Sequence, residues 1–425
     1  MTIVWMLLGL LVMLALRVPV AIALLVPCLI YVTADPSATY EVAAQQTLSG
    51  LNSFPLLAVP LFIMLGNIAN VSGISDRLFN AATALIGHVR GSLGYVNVAT
   101  SFGFAWMSGA AISDAAALGR VQVPAMVKRG YSQQFSVGIT GASSLIAPIL
   151  PPSIPAIIYA VTAGLSVGAL FMAGIIPALL IVLALCIMVW VMTRKRDDLR
   201  LQRVRGKQRW MPMLGALPGL GAGVVVLGGI LGGIFTPTEA AGIGVVYMFL
   251  LAAAYQRMNG ANLKYVLRTT LETSGSVLII VAAASLFGWV LAREQAPQRA
   301  AELILGITTN PIVFLLLLNI LLLIVGAIIE PTAAILILVP VLAPVATQYG
   351  LDPLHVGAIV IFNLMIGLLT PPVGLVLFVL SSVTDIPVSK VIKGVMPFFI
   401  PMVLVLLLIT FFPFFTTWLP GLLGP

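Results

Sequence analysis

Four clusters of hydroxyl, amide, carboxylate and glycine residues interrupt otherwise apolar stretches of this chain. The first is Ser108-Gly109-Ala110-Ala111-Ile112-Ser113-Asp114, and the second runs from Thr140-Gly141-Ala142-Ser143-Ser144 into Pro151-Pro152-Ser153. The third is Gly326 with Glu330-Pro331-Thr332, and the fourth is Asn363, Gly367 and Thr370-Pro371-Pro372. A helix broken at such a point leaves free carbonyls on one side and free N–H groups on the other. Carbonyls together with Ser108, Gly109, Ser113, Ser143, Ser144, Gly326, Thr332, Asn363, Gly367 and Thr370 offer hard oxygen ligands that suit a small cation such as Na⁺. Proline is tolerated at the first helical position, so Pro151-Pro152-Ser153 and Pro371-Pro372 are expected to open half-helices whose positive ends attract a carboxylate. Asp114 and Glu330, with Glu239, are the acidic residues set in apolar surroundings, and such groups are candidates for a substrate site. The alternative for Ser113, Asp114 and Glu330 is plain helix capping. No cofactor and no transition metal is expected: Cys28 and Cys186 lack ligand spacing and read as packing residues, and His88 and His355 read as loop residues at membrane edges.

The elements that position these clusters must be membrane helices. Of the 425 residues, 60% are hydrophobic and 8% charged, whereas a soluble domain carries about 25% charged residues. Runs such as Ile312 to Ile329 are apolar on nearly every face, which excludes the alternation of a β-barrel. The net charge of +8 follows loop positions and not a nucleic-acid surface. The fold class read here is an all-α polytopic membrane protein.

Helix-breaking residues recur at a constant spacing of 220 (124 to 344): Pro124, Gly130, Pro151, Pro152, Gly174 and Pro177 fall on Pro344, Gly350, Pro371, Pro372, Gly394 and Pro397. The chain therefore reads as a duplicated transporter. Basic residues at Arg90 and at Lys128-Arg129 bracket residues 91–127, so both ends lie on the cytoplasmic side and the stretch is expected to be a re-entrant hairpin. A second hairpin, 311–347, falls in a window free of Lys and Arg and opens outside. Each unit makes three crossings and one hairpin, so the copies are inverted. The expected organisation is an N-terminal scaffold segment (1–53), repeat 1 (54–193), a basic cytoplasmic linker (194–209), central scaffold helices (210–274), repeat 2 (275–416) and a tail (417–425) ending outside. Residues 2–32 form either one kinked crossing or two short ones. Ser75 to Arg90 and Arg293 to Gly306 are expected to lie as amphipathic helices at the interface.

Several strings carry a resemblance. They are Phe104-Ala105-Trp106-Met107-Ser108-Gly109 with Ser113-Asp114, Val123-Pro124-Ala125-Met126 with Lys128-Arg129-Gly130-Tyr131, and Ala147-Pro148-Ile149-Leu150-Pro151-Pro152-Ser153-Ile154-Pro155. Ala173-Gly174-Ile175-Ile176-Pro177, Gly233-Ile234-Phe235-Thr236-Pro237-Thr238-Glu239 and Leu369-Thr370-Pro371-Pro372-Val373-Gly374 continue it. In these the chain resembles the large (DctM-type) membrane subunit of tripartite ATP-independent periplasmic, or TRAP, transporters over nearly its whole length. The resemblance implies a sodium-driven inner-membrane importer of an organic anion such as a C4-dicarboxylate, keto acid or sialic or sugar acid. It also implies an elevator-type motion with two re-entrant hairpins and two broken helices, and two partners: a small four-helix membrane subunit, expected as a separate chain, and a periplasmic substrate-binding protein. The usual Ser-Gly-Ser tip is here Ser108-Gly109-Ala110-Ala111, so one hydroxyl ligand is replaced. A stand-alone sodium–carboxylate symporter would share the hairpins without needing a binding protein. An intramembrane enzyme would need a nucleophile and base at one depth, and a nucleotide-driven pump a P-loop; the sequence offers neither.

Overall fold

The computed structural model describes residues 2–35, 38–200 and 206–422, with residues 201–205 of the linker and 423–425 of the tail outside this range. Described residues form twenty α-helices and no strand. Seven of the helices are long and apolar enough to cross a membrane. In lipid a helix is the way a single segment satisfies its own backbone, so this class follows directly from the composition.

The chain opens with α1 (Thr2–Ala15), α2 (Val20–Ala34) and α3 (Tyr40–Ser49). The first two are separate short helices that run back along each other through a turn at Arg17: Cys28 Sγ lies 4.0 Å from Met6 Sδ. A longer element, α4 (Ala58–Ser72), follows a 3-10 turn over Phe54–Leu57, and the amphipathic α5 (Ile74–Ile86) buries Ile74, Leu78 and Ala81. Repeat 1 then contains α6 (Ser92–Ser108), α7 (Ala111–Lys128), α8 (Gln133–Ser144), α9 (Ile154–Ala163) and α10 (Val167–Thr193). The central segment holds α11 (Lys207–Leu231), α12 (Pro237–Ala254) and the 34-residue α13 (Gly260–Arg293). Lys207 to Arg209 thus belong to a helix and not to the linker. Repeat 2 comprises α14 (Ala296–Ile307), α15 (Pro311–Gly326), α16 (Pro331–Gln348), α17 (Pro353–Gly367), α18 (Leu375–Thr384) and α19 (Val388–Phe411); α14 meets α15 at a bend of 116°. The residues read as a tail begin inside a last helix, α20 (Phe414–Leu422), seated on α10 and α17.

Helix starts in the two repeats keep the sequence spacing to within one residue, from Ala111 and Pro331 to Val167 and Val388. The punctuation explains why. Gly130 and Gly350 occupy matching turns with φ of +89° and +68°, a left-handed conformation that favours glycine. Ser132 Oγ accepts from Phe135 N at 3.1 Å to start α8, and Asp352 Oδ1 accepts from Leu354 N at 2.8 Å to start α17. Both Pro-Pro peptides are cis. They do not open the half-helices as the sequence suggested, because helical residues begin only at Ile154 and Leu375, two or three positions later.

Two further details shape the interior. Residues after α10 strap across the open end of the α6–α7 hairpin: Arg90 pairs with Asp197 at 2.5 Å, while Ser92 Oγ and Tyr131 Oη donate to the Leu199 carbonyl at 3.3 and 3.4 Å. Where α8 crosses α19, a Cβ on Gly138 would strike the Gly394 carbonyl and one on Gly394 would strike Gln134. Overpacking of this kind costs about 1–3 kcal/mol or more. Gly394→Leu is therefore expected to shrink the monodisperse peak in size-exclusion chromatography and lower the melting temperature, with Gly242→Leu, at a position with open space, as an unaffected control.

Candidate functional site

The tips of the two hairpins meet at one cavity of about 330 Å³. Ala110 to Ser113 with Ser108 form its wall from the first tip, and Glu330 to Thr332 form it from the second. Pro148, Ile154 and Pro155 come from the first broken helix, Met365 and Leu368 from the second. The opposite wall belongs to α4 and α13, through Asn67, Asn70, Tyr265, Thr269 and Thr273. Among the described residues, no Lys, Arg or His lines the cavity.

The local chemistry of the tips differs. Helix α7 starts after Ala110, which has no side chain to cap it, so the N–H groups of Ala111, Ile112 and Ser113 have no partner inside the helix. Neither Ser113 nor Asp114 caps. Ser113 Oγ instead accepts from Asn70 Nδ2 at 2.9 Å, a hydrogen bond from the α4 wall to the hairpin tip. Ser108 Oγ is buried and has no hydrogen-bond partner. Glu330, in contrast, does cap its helix: Oε2 accepts from Ala333 N at 3.1 Å and Oε1 from the Thr332 hydroxyl at 2.8 Å. Helix α9 is closed as well, because Ile154 N donates to the Gly109 carbonyl at 3.4 Å, Pro155 has no N–H, and Ala156 N donates to Ser153 Oγ at 3.1 Å. A carboxylate receptor expected at the Pro151-Pro152-Ser153 break is thus occupied by the Gly109 carbonyl and the Ser153 hydroxyl. Pro371 and Pro372 are exposed and lie outside the cavity wall.

Behind the cavity, each break is tied to a hairpin leg. Asn97 Nδ2 donates to Thr140 Oγ1 at 2.7 Å, Ser143 Oγ donates to Asn97 Oδ1 at 2.8 Å, and Ser101 Oγ donates to Ser143 Oγ at 2.9 Å. In repeat 2, Asn363 Nδ2 donates to Asn319 Oδ1 at 2.7 Å, and Asn319 Nδ2 donates to Thr410 Oγ1 at 3.0 Å. Ser143 and Asn363 are matching positions. Val373 N donates to the Ala327 carbonyl at 3.2 Å, pairing the second tip with the second break as Ile154 and Gly109 pair the first. Gly326 and Gly367 press backbone on backbone, leaving no room for a Cβ on Gly367. The Ser144 and Thr370 hydroxyls bond back to the Gly141 and Ile366 carbonyls at 2.8 and 2.9 Å.

Three candidates change role once placed. Asp114 is fully buried, does not line the cavity, and both its carboxylate oxygens lack hydrogen-bond partners. Its polar neighbour Ser101 donates to Ser143 instead. Asp114 therefore stands behind the cavity wall and not on it; Asn363 Oδ1 is likewise buried and unpartnered. Glu239 is exposed and closes a capping box with Thr236 at 2.8 Å, so its role is to start α12. His355 is no loop residue: it sits buried in the first turn of α17, with Nδ1 2.8 Å from Thr416 Oγ1 of α20. Cys28 is buried, Cys186 is half-buried, and neither is in a disulfide.

The α4 and α13 residues escaped the sequence reading because they lie outside any break. Their signal was present in the polar pair Asn67 and Asn70, one helical turn apart in an apolar helix, and in hydroxyls at every fourth position from Tyr265 to Thr273.

Comparison with known proteins decides the family. Residues 7–415 match the model of the tripartite ATP-independent periplasmic transporter, DctM component. The chain belongs to that family. It is 42% identical over 405 residues to the sialic acid TRAP transporter large permease protein SiaM of Vibrio cholerae, covering 95% of each chain. Identity is 36% over 432 residues to the C4-dicarboxylate TRAP transporter large permease protein DctM of Rhodobacter capsulatus, covering 98% of each. The YdaH transporter of Alcanivorax borkumensis shares the fold with a TM-score of 0.62 at 16% identity, over 95% of this chain and 97% of that one. This TRAP large subunit is accordingly a multi-pass membrane transport protein and not an enzyme. For the buried carboxylate, Asp114→Asn keeps the shape and removes the charge. It is expected to raise the sodium concentration needed for half-maximal thermal stabilisation of the purified protein by an order of magnitude or more; an unaltered sodium titration would take Asp114 out of any cation site.

Proposed function

We propose that this chain is the permease subunit of a sodium-driven importer of an organic anion, a carboxylate handed over by a periplasmic binding protein. It works in the bacterial inner membrane beside a separate small four-helix subunit, with its C-terminus on the periplasmic side. One observation carries the reading. The cavity joins both hairpin tips to α4 and α13, and holds an open helix end for an anion but no basic side chain to neutralise it. Bound cations then supply the missing charge, and the buried oxygens of Asp114 and Asn363 are the atoms to hold them. Cation binding and anion binding favour each other under that arrangement, which is the thermodynamic basis of coupling. The names of the relatives, sialic acid for SiaM and C4-dicarboxylate for DctM, support an organic acid as cargo.

An elevator motion fits the same wall. The hairpins and broken helices form the carriage, and α4 and α13 form the static side. The cavity contacts α13 at Tyr265, Thr269 and Thr273, in the half nearer its first residue and beside the basic residues Lys264 and Arg268, and ends at its middle with Val277. By the distribution of positive charge that half is cytoplasmic, so this arrangement is the inward-facing one. Moving outward requires the Asn70–Ser113 bond to break.

Uptake of labelled N-acetylneuraminate, gluconate, pyruvate and succinate into proteoliposomes containing this chain and its small subunit tests the proposal. An inward sodium gradient together with the binding protein is expected to be required. Sodium-driven uptake without the binding protein would favour a stand-alone symporter, and uptake indifferent to sodium would remove the coupling argument.

A further inference from the structure

We infer that the cargo carries a single carboxylate at one end and hydroxyl or amide groups at the other, and is not a dicarboxylate. This rests on the carboxylate-importer reading above and narrows it. A symmetric diacid needs two anion receptors, and the cavity has one. At the first tip, the N–H groups of Ala111, Ile112 and Ser113 stand open at the positive end of an 18-residue helix. Ser108, at 3% exposure, adds a hydroxyl with no partner of its own on the same wall. An uncapped helix end and an unpartnered hydroxyl on the same wall suit a carboxylate.

At the second tip the matching receptor is already filled. Pro331 has no N–H, Ala333 N is taken by Glu330 Oε2, and the Thr332 hydroxyl is taken by Oε1. The dipole of α16 is neutralised by the chain's own carboxylate. A second cargo carboxylate there would face a like charge at short range, which selects strongly against it. With both oxygens already accepting, ionised Glu330 keeps lone pairs that suit a donor in the cargo beside it, a hydroxyl or an amide N–H.

The scaffold wall calls for the same chemistry. Tyr265, Thr269 and Thr273 recur at i, i+4 and i+8, a ladder of hydroxyls rising about 12 Å along one face of α13. Asn70 Oδ1, buried and unpartnered, offers a further acceptor from α4. The ladder and the α7 end line one cavity of about 330 Å³, and a small diacid has no donor group for the ladder's acceptors or for Glu330. An extended polyhydroxy or acetamido monocarboxylate has a chemically matched group for the α7 end, for Glu330 and for the ladder, all of which line this one cavity.

The test uses the purified full-length chain with its small subunit in sodium buffer, with ligand-induced thermal stabilisation as the readout, so that no binding protein filters the cargo. D-gluconate, N-acetylneuraminate and succinate are the probes. Half-saturation for gluconate or N-acetylneuraminate is expected at a concentration about 10-fold or more below that for succinate. Glu330→Gln, which keeps an oxygen to cap Ala333 N, is expected to close that gap by strengthening succinate. The double variant Thr269→Val, Thr273→Val is expected to weaken gluconate several-fold and leave succinate unchanged, and it serves alone if the Glu330 variant does not fold. Succinate binding to the unaltered chain as tightly as the hydroxylated acids would overturn the inference while leaving the importer reading intact. Failure of every acid to stabilise the chain in sodium would overturn both.

Discussion

Everything in this fold depends on one constraint: irregular backbone inside a membrane must find its hydrogen-bond partners within the protein. Four interruptions in apolar helices would each leave unpaired groups facing lipid. The chain resolves this by bringing all four together. The first tip accepts at Gly109 from the residue that opens α9, and the second accepts at Ala327 from the residue after the second proline pair. Glycines at Gly326 and Gly367 allow the backbones to touch. The buried amides Asn97, Asn319 and Asn363 then fix each hairpin leg to a broken helix. A polar chamber surrounded by hydrophobic helices is the by-product of this mutual satisfaction. Its remaining open groups are the ones that function can use.

Duplication supplied two similar tips, and the chain has made them chemically different. Asp114 in repeat 1 corresponds to Ala334 in repeat 2, and Glu330 corresponds to Ala110. One acid lies one turn inside its helix, buried behind the chamber; the other sits at the helix start, inside the chamber wall. The same residue class thus occupies two unlike environments: one acid is buried without a hydrogen-bond partner and the other caps a helix at the chamber wall. Symmetry of fold and asymmetry of charge coexist because capping depends on a single position in the helix.

The sequence revealed the framework well, since proline and glycine dictate where helices break regardless of what surrounds them. The left-handed turns at Gly130 and Gly350 are a case where the residue type alone announces the conformation. Roles were harder to read. Ser144 and Thr370 looked like ligands but bond to their own helices, and Ser153 proved to be a cap. These three bonds reach only three or four residues along the chain, so residue type and spacing alone did not separate a hydroxyl held by its own helix from a free one. The four-residue spacing of Tyr265, Thr269 and Thr273 was visible, but that they face the two tips follows only from packing.

The chamber's three walls have a stereochemical consequence. An open helix end, a fixed carboxylate and a row of hydroxyls are chemically unlike and belong to different helices, so they cannot be interchanged by turning a bound molecule end for end. A chiral ligand that engages all three does so with one hand only, because its mirror image can satisfy at most two of the contacts at once. A chamber with the twofold symmetry of its parent fold would have accepted its ligand in either direction. Here Glu330 caps one end and Ala110 leaves the other uncapped, so the two ends of the chamber are distinguishable.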